Sequence, residues 1–120
     1  MTLKGILRFL PYIHKIIWFN FHYLPFDQAI KLPILLYRPN LKRCKGLVEI
    51  HGTIRTGMIK LGIYIVSTYP NKGIVWENSG KIVFDGKCTI GNNSYLSIGK
   101  HGIMSFGDGF CATADFRGIC

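Results

Sequence analysis

Two hydrophobic rhythms divide the chain near residue 40. In the first, Ile6, Leu10, Ile13 and Ile17 recur at intervals of four, three and four, a spacing that predicts a helix running to about Tyr23 with that stripe as its apolar face. A second stripe at the same spacing, Lys4, Arg8, Pro11, Lys15, Trp18 and His22, is mostly cationic. Pro11 lacks the N–H that a mid-helix residue donates, so it either kinks this helix or starts it. A short helical turn follows from about Phe26 to Lys31, and Ile34 to Tyr37 is the first extended segment. This leader holds every proline except Pro70. Beyond it, glycine and β-branched residues take over. From Gly46 the chain reads as short strands, "LVEIHG", "TIRTG", "MIKLG" and "IYIVS", then a turn at Pro70–Gly73, then "IVWENSG" and "KIVFDG". The alternations Val48/Ile50, Ile59/Leu61, Ile63/Ile65 and Ile82/Phe84 mark one buried face per strand.

The stretch "CTIGNNSYLSIGKHGIMSFGDG", Cys88 to Gly109, sharpens this pattern. It sets Ile90-Gly91, Ile98-Gly99 and Phe106-Gly107 at regular intervals, and a six-residue frame carries Phe84, Ile90 and Leu96, with small Cys88 and Ser94 between. Such a frame predicts a hexapeptide-repeat β-helix, in which each flat face is one short strand with one aliphatic residue inward, and Gly, Asn or Asp takes the corners. The expected fold is therefore mainly β: residues 1–40 form an amphipathic helical leader and residues 41–120 form parallel β-helix coils. The leader is expected to pack across the open end of those coils.

Composition narrows the possible partners. The 120 residues suffice for one domain, and a hydrophobic fraction of 48% with mean hydropathy +0.23 implies apolar surface that meets a partner or a membrane. Fifteen Lys and Arg against six Asp and Glu give a net charge of +9, which favours anionic partners: nucleic acid, phospholipid headgroups or a phosphate-bearing cofactor. The basic residues are scattered, with one tight cluster at Lys42, Arg43 and Lys45, and no RNA-recognition or zinc-finger pattern accompanies them, so nucleic acid is not expected. Cys44, Cys88, Cys111 and Cys120 show no C-x-x-C spacing and no paired histidines. They predict free thiols and no metal site. His14 and Lys15 interrupt the leader's apolar run, which argues against a secretory signal and against a transmembrane span. A cationic stripe beside Trp18, Phe19, Phe21 and Tyr23 does suit a helix lying in a membrane interface. Two nucleotide-like strings fail on context: "GDGFCA", Gly107 to Ala112, is followed by no predicted helix, and "ENSGKI", Glu77 to Ile82, lacks the leading glycine and the Ser/Thr of a phosphate loop.

The combination of "LPFDQAIKLPILLYRPN" leading into "GLVEIHGTIRTGMIKLG", followed by "GKIVFDGKCTIGNNSYLSIGKHGIMSFGDGF", resembles the N-terminal part of the hexapeptide-repeat acyltransferases. The resemblance is to the bacterial O-acetyltransferases of surface-polysaccharide and lipopolysaccharide synthesis. It implies a left-handed β-helix, a homotrimer, acetyl-CoA bound between subunits, a sugar or glycan hydroxyl as acceptor, and a histidine as general base. It also implies a cytoplasmic enzyme, peripheral at the inner face of the membrane if the leader touches lipid. His101, at the corner "GKHG", is the candidate base, with His51 in "EIHGT" behind it; His14 and His22 read as surface residues of the leader. Asp108 and Asp115 either orient a base from a neighbouring subunit or satisfy their own turns. The family places its histidine in later coils near an acidic residue, and "FCATADFRGIC" ends without a polar cap. The expectation is thus an N-terminal portion whose base lies outside the chain. Two other readings stay open: a non-catalytic β-helical module that oligomerises or binds a partner, and a basic membrane-surface protein acting through its leader.

Overall fold

The computed structural model describes residues 9–63, 68 and 72–120. Its helical part starts with a 3₁₀ turn, Leu10–Tyr12, followed by α1 (Ile13–Tyr23) and one turn of helix, α2 (Phe26–Ala29). Pro11 occupies the first turn of the described helical part, where no donated N–H is needed; whether helix precedes it falls on residues outside those described. Among the described residues eleven strands follow: β1 (Ile34–Leu36), β2 (Asn40–Cys44), β3 (Leu47–Ile50), β4 (Ile59–Ile63), β5 (Ile74–Asn78), β6 (Lys81–Phe84), β7 (Cys88–Asn92), β8 (Ser94–Ile98), β9 (Ile103–Phe106), β10 (Phe110–Ala114) and β11 (Arg117–Ile119). The predicted strand at "TIRTG" does not form; residues 53–57 are loop and turn. The predicted "IYIVS" contributes only Ile63, at the end of β4, and its remainder falls outside the described residues, as do Lys4, Ile6 and Arg8.

The chain visits three sheets in rotation. The orders are β1-β4-β7-β10, β2-β5-β8-β11 and β3-β6-β9, and every neighbouring pair is parallel. Each strand therefore stacks on the third strand after it. The protein is thus mainly β, with three parallel sheets and a short N-terminal helix.

Register explains both the success and the failure of the six-residue frame. Phe84, Ile90 and Leu96 all point inward from successive sheets and are fully buried. One round later their paired positions are Phe106, Ala112 and Gly118. Cys88 pairs with Phe110 and Tyr95 with Arg117, each 22 residues on, whereas three faces of six residues would return after about 18. The four extra residues form the corner Gly99–Gly102. The earlier intervals vary widely: Ile34 pairs with Ile59 and Asn40 with Val75, while Ile74 pairs with Ser94 after only 20 residues. Insertions at corners hide the repeat before residue 82, and the ladders there also shift register between Leu41 and Arg43 and between Leu61 and Ile63.

Columns of aligned side chains form the core. Leu36, Leu61 and Ile90 make one column, and Leu41, Trp76 and Leu96 another; Phe84 lies face to face with Phe106, ring centroids 5.4 Å apart. Each fully buried aliphatic residue contributes about 1.5–3 kcal/mol relative to exposure. Gly118 ends the second column because it must be small. A Cβ there would lie 2.8 Å from Leu96 Cδ2.

Helix α1 covers the first strand. Asn20, fully buried, accepts a hydrogen bond from the Ile34 N–H at 3.1 Å and donates to the Ile34 carbonyl at 2.8 Å, occupying the edge of β1 as another strand would. Phe19 sets its ring edge-on to Trp76 at 4.9 Å, and the Trp76 indole N–H donates to the Tyr23 hydroxyl, which itself donates to the Lys45 carbonyl. The buried face is Ile16, Phe19 and Asn20, not the predicted stripe: Leu10, Ile13 and Ile17 are exposed. Apolar residues occur on both sides of this helix. Tertiary packing chose the side that carries Asn20.

Candidate functional site

Sheet register builds the one place where a histidine meets carboxylates among the described residues. Ile50 pairs with Phe84, so the residues that leave β3 and β6, His51 and Asp85, stand side by side. Their backbones are fixed by the same ladder: His51 N–H donates to the Phe84 carbonyl at 2.8 Å, and Asp85 N–H to the Phe106 carbonyl at 2.9 Å. The imidazole Nδ1 lies 3.0 Å from Asp85 Oδ1, and Nε2 lies 3.3 Å from Glu49 Oε2. Glu49 has a second partner, Lys81, whose Nζ is 3.1 Å from Oε1. Hydrogen bonding to Lys81 first, and to His51 second, holds the Glu49 carboxyl below its ordinary value. His51 is 56% exposed and Asp85 49%, so a ligand can reach both.

This geometry defines what the imidazole can do. A neutral ring has one N–H and one lone pair. When Nδ1–H donates to Asp85, the lone pair sits on Nε2, the atom facing Glu49 and solvent. Glu49 can turn wholly to Lys81 and leave Nε2 open to accept a proton.

The surrounding cleft, about 240 Å³, is lined by Arg55, Met58, Lys87 and Asp108 as well as His51 and Asp85. Asp108 belongs to the next corner along the same edge. Its Oδ1 accepts the Lys87 N–H at 2.9 Å, and only glycine fits at position 86, where a Cβ would approach that oxygen to 2.2 Å. Asp108 thus satisfies a turn. Asp115 does likewise, accepting from Asn93 Nδ2 at 3.1 Å and pairing with Arg117 at 2.9 Å. Both of these corners need positive φ, which Asn93 and Asp115 tolerate at 59° and 54°.

His101 stands elsewhere. It sits in the four-residue corner between β8 and β9, exposed, in a shallow cleft walled by Ser79, Lys81, Lys100 and glycines with no carboxylate. His22 meets the Cys44 carbonyl through Nε2 at 2.6 Å and stacks on Trp18; His14 is exposed. Of the predicted candidates, the structure gives acidic partners to His51 alone among the described residues. Asp85 and Glu49 were not singled out from the sequence, although a signal existed. "VEIHG" at 48–52 and "IVFDG" at 82–86 share the order apolar, any, apolar, polar, glycine, and aligning them puts His51 on Asp85.

The remaining chemistry is sparse. No group of three or more His, Cys, Asp or Glu among the described residues is arranged to hold a metal ion. All four cysteines are free thiols; burial pushes Cys88 up to about 12 and raises Cys44, while Cys111 and Cys120 are exposed. "GDGFCA" runs into strand β10, so no helix N-terminus is available for a pyrophosphate. No helix among the described residues is long and apolar enough to cross a membrane. No family model, no curated protein and no solved structure matches the chain.

Proposed function

We propose that this chain is an acyl-CoA-dependent O-acyltransferase of the hexapeptide-repeat type, transferring an acetyl group to a sugar hydroxyl, with His51 as its general base. The observation that carries the reading is the His51–Asp85 pair, held at a corner of parallel sheets that stack every third strand. In this reading the three sheets close into a left-handed β-helix, and the protein works as a trimer at the cytoplasmic face of the membrane, where acceptor sugars are assembled.

The chemistry follows from the roles of the two ring nitrogens. Asp85 holds Nδ1–H and with it the tautomer; Nε2 takes the proton of the acceptor hydroxyl as its oxygen attacks the thioester carbonyl. The new C–O bond forms, the C–S bond breaks, and the imidazolium returns the proton to the departing thiolate, giving the ester and CoA thiol. Asp85 stabilises the transient imidazolium without taking its proton. Arg55 and Lys87, in the same cleft, supply cations for the phosphates of the acyl carrier. No step needs a metal ion or a covalent enzyme intermediate.

The test is thiol release from acetyl-CoA by the full chain over a panel of monosaccharide and nucleotide-sugar acceptors. His51→Ala should lower acceptor-dependent turnover by roughly 10²- to 10⁴-fold, the usual contribution of a general base, and His101→Ala should leave it unchanged. Turnover that survives His51→Ala would assign the base elsewhere. No acceptor-dependent release at all would favour a non-catalytic oligomerising or partner-binding module.

A further inference from the structure

The outer face of α1 and α2 is unusually apolar for exposed surface. Leu10, Ile13, Ile17 and Phe21 follow one another along an exposed side of the 3₁₀ turn and α1, next to the buried face, and Phe26, whose ring lies 5.8 Å from that of Phe21, continues the ridge to Ile30. The most exposed of them are Phe26 at 71%, Ile30 at 53% and Leu10 at 50%. At the start of the ridge opens an apolar cavity of about 330 Å³, walled by Leu10, Ile13, Leu32 and Leu35. Trp18, 49% exposed, borders the ridge and stacks on His22.

Charge says what covers this ridge. His22 Nε2 bonds the Cys44 carbonyl and Tyr23 OH bonds the Lys45 carbonyl, so the end of α1 is pinned against the exposed cluster Lys42, Arg43 and Lys45. Lys15 and Lys31 are exposed on the same helical segment, and Asp27 is its only acidic residue among those described. An apolar ridge with a tryptophan at its border and lysines and arginine beside it matches a bilayer interface, apolar side chains entering the acyl boundary while cations meet lipid phosphates. A protein partner would need its own acidic rim; an anionic leaflet supplies one everywhere.

We infer that Leu10, Ile13, Ile17, Phe21, Phe26 and Ile30, with the cluster Lys42, Arg43 and Lys45, form a docking face for an anionic lipid bilayer. The face is on the leader side of the molecule and does not depend on the acyl-transfer reading. Docking orients the protein with α1 flat in the interface.

The test is sedimentation of the full chain with phosphatidylglycerol vesicles and, in parallel, phosphatidylcholine vesicles. Binding should be strong to the first, weak to the second and reduced by salt. The triple variant Ile13→Ser, Ile17→Ser, Phe21→Ser should abolish it; the three residues are 39–44% exposed, so the variant should keep the parent's circular dichroism and a cooperative melt at a lowered temperature. Lys42→Gln with Arg43→Gln and Lys45→Gln should weaken binding to phosphatidylglycerol by roughly a hundredfold at low salt, at about a fivefold change per cation. Quenching of tryptophan emission by brominated lipid should be lost in Trp18→Phe, since Trp76 is fully buried in the core. Absence of binding to phosphatidylglycerol overturns the proposal. So does undiminished binding by the folded serine variant, or a serine variant that turns an oligomer into a monomer while vesicle binding persists, which would make the ridge a protein interface.

Discussion

His51 and His101 occupy corners beside the same sheet, β3-β6-β9, and their surroundings differ completely. His51 leaves β3 at a position whose neighbour one strand away is Asp85, and paired strands set that neighbour. His101 precedes β9 inside a corner with four extra residues, so no position one round earlier lies in register with it; the nearest turn there is Asn78–Gly80, which carries no charge. A histidine at the end of a strand inherits partners from the ladder. A histidine in an inserted corner inherits none, and its chemistry is left to solvent.

The largest disturbance of this comparison is expected from the residue that aligns the His51 corner. Phe84 is fully buried, pairs with Ile50 and stacks on Phe106, so Phe84→Ala should cost about 3–5 kcal/mol of stability. Ile103, which leads away from the His101 corner, is 65% exposed, and Ile103→Ala should change stability by less than about 0.5 kcal/mol. Urea unfolding of the two variants measures both. Equal losses would mean that the two corners are equally embedded and would dissolve the contrast.

How much of this was legible beforehand depends on which contacts are local. Phe84, Ile90 and Leu96 announced the inward positions because strand and corner together advance six residues at each of these two steps, and a fixed period survives in sequence. The frame fails at Gly99–Gly102 because a corner insertion changes the interval without changing the register, and before residue 82 because insertions combine with register shifts at Leu41/Arg43 and Leu61/Ile63. Strand β2 escaped notice: "NLKRC" is cationic and largely exposed, and it is held by pairing with β5 instead of by an apolar alternation of its own. The leader's helix was legible and its buried face was not. Ile13 and Ile17 are as apolar as Ile16 and Phe19, and the deciding residue, Asn20, matters only because the edge of β1 needs a partner. Asp85 follows the same logic. It is 34 residues from His51, and only the register connects them.

A smaller effect sharpens the comparison at the level of one proton. Asp85 at 3.0 Å from Nδ1 and Glu49 at 3.3 Å from Nε2 compete for the single hydrogen of neutral His51, and with Glu49 turned to Lys81 the shorter contact should place it on Nδ1. His101 lacks such a partner in its cleft and should show mainly the Nε2–H form that free imidazole side chains prefer. Long-range ¹⁵N–¹H spectra at alkaline pH distinguish the two tautomers directly. Asp85→Asn should release His51 towards the His101 pattern while leaving the fold intact, and under the proposed acyl-transfer role it should lower turnover by about tenfold to a hundredfold. An unchanged His51 spectrum in Asp85→Asn would show that the contact does not set the tautomer.

The smallest effect concerns Glu49, which distinguishes the His51 corner by linking it to Lys81. Its carboxyl is held below the ordinary value of 4.5, first by the hydrogen bond from Lys81 and then by that from His51. A carboxyl depressed in the folded state binds its proton less readily there than in the unfolded chain. It therefore contributes stability that is fully present above 4.5 and is lost as pH falls through the folded value. Glu49→Gln removes this contribution, so the parent should melt at a slightly higher temperature than the variant at neutral pH, and the two melting curves should converge as pH drops below 4.5. The difference at neutral pH should be small, because the pair is exposed and salt screens it. Lys100, exposed in the His101 cleft and without an ion partner among the described residues, gives the matching control: Lys100→Gln should leave the melting temperature unchanged across the same range. Parent and Glu49→Gln curves that stay apart by the same amount at every pH would mean that the Glu49 side chain acts through packing and not through its charge.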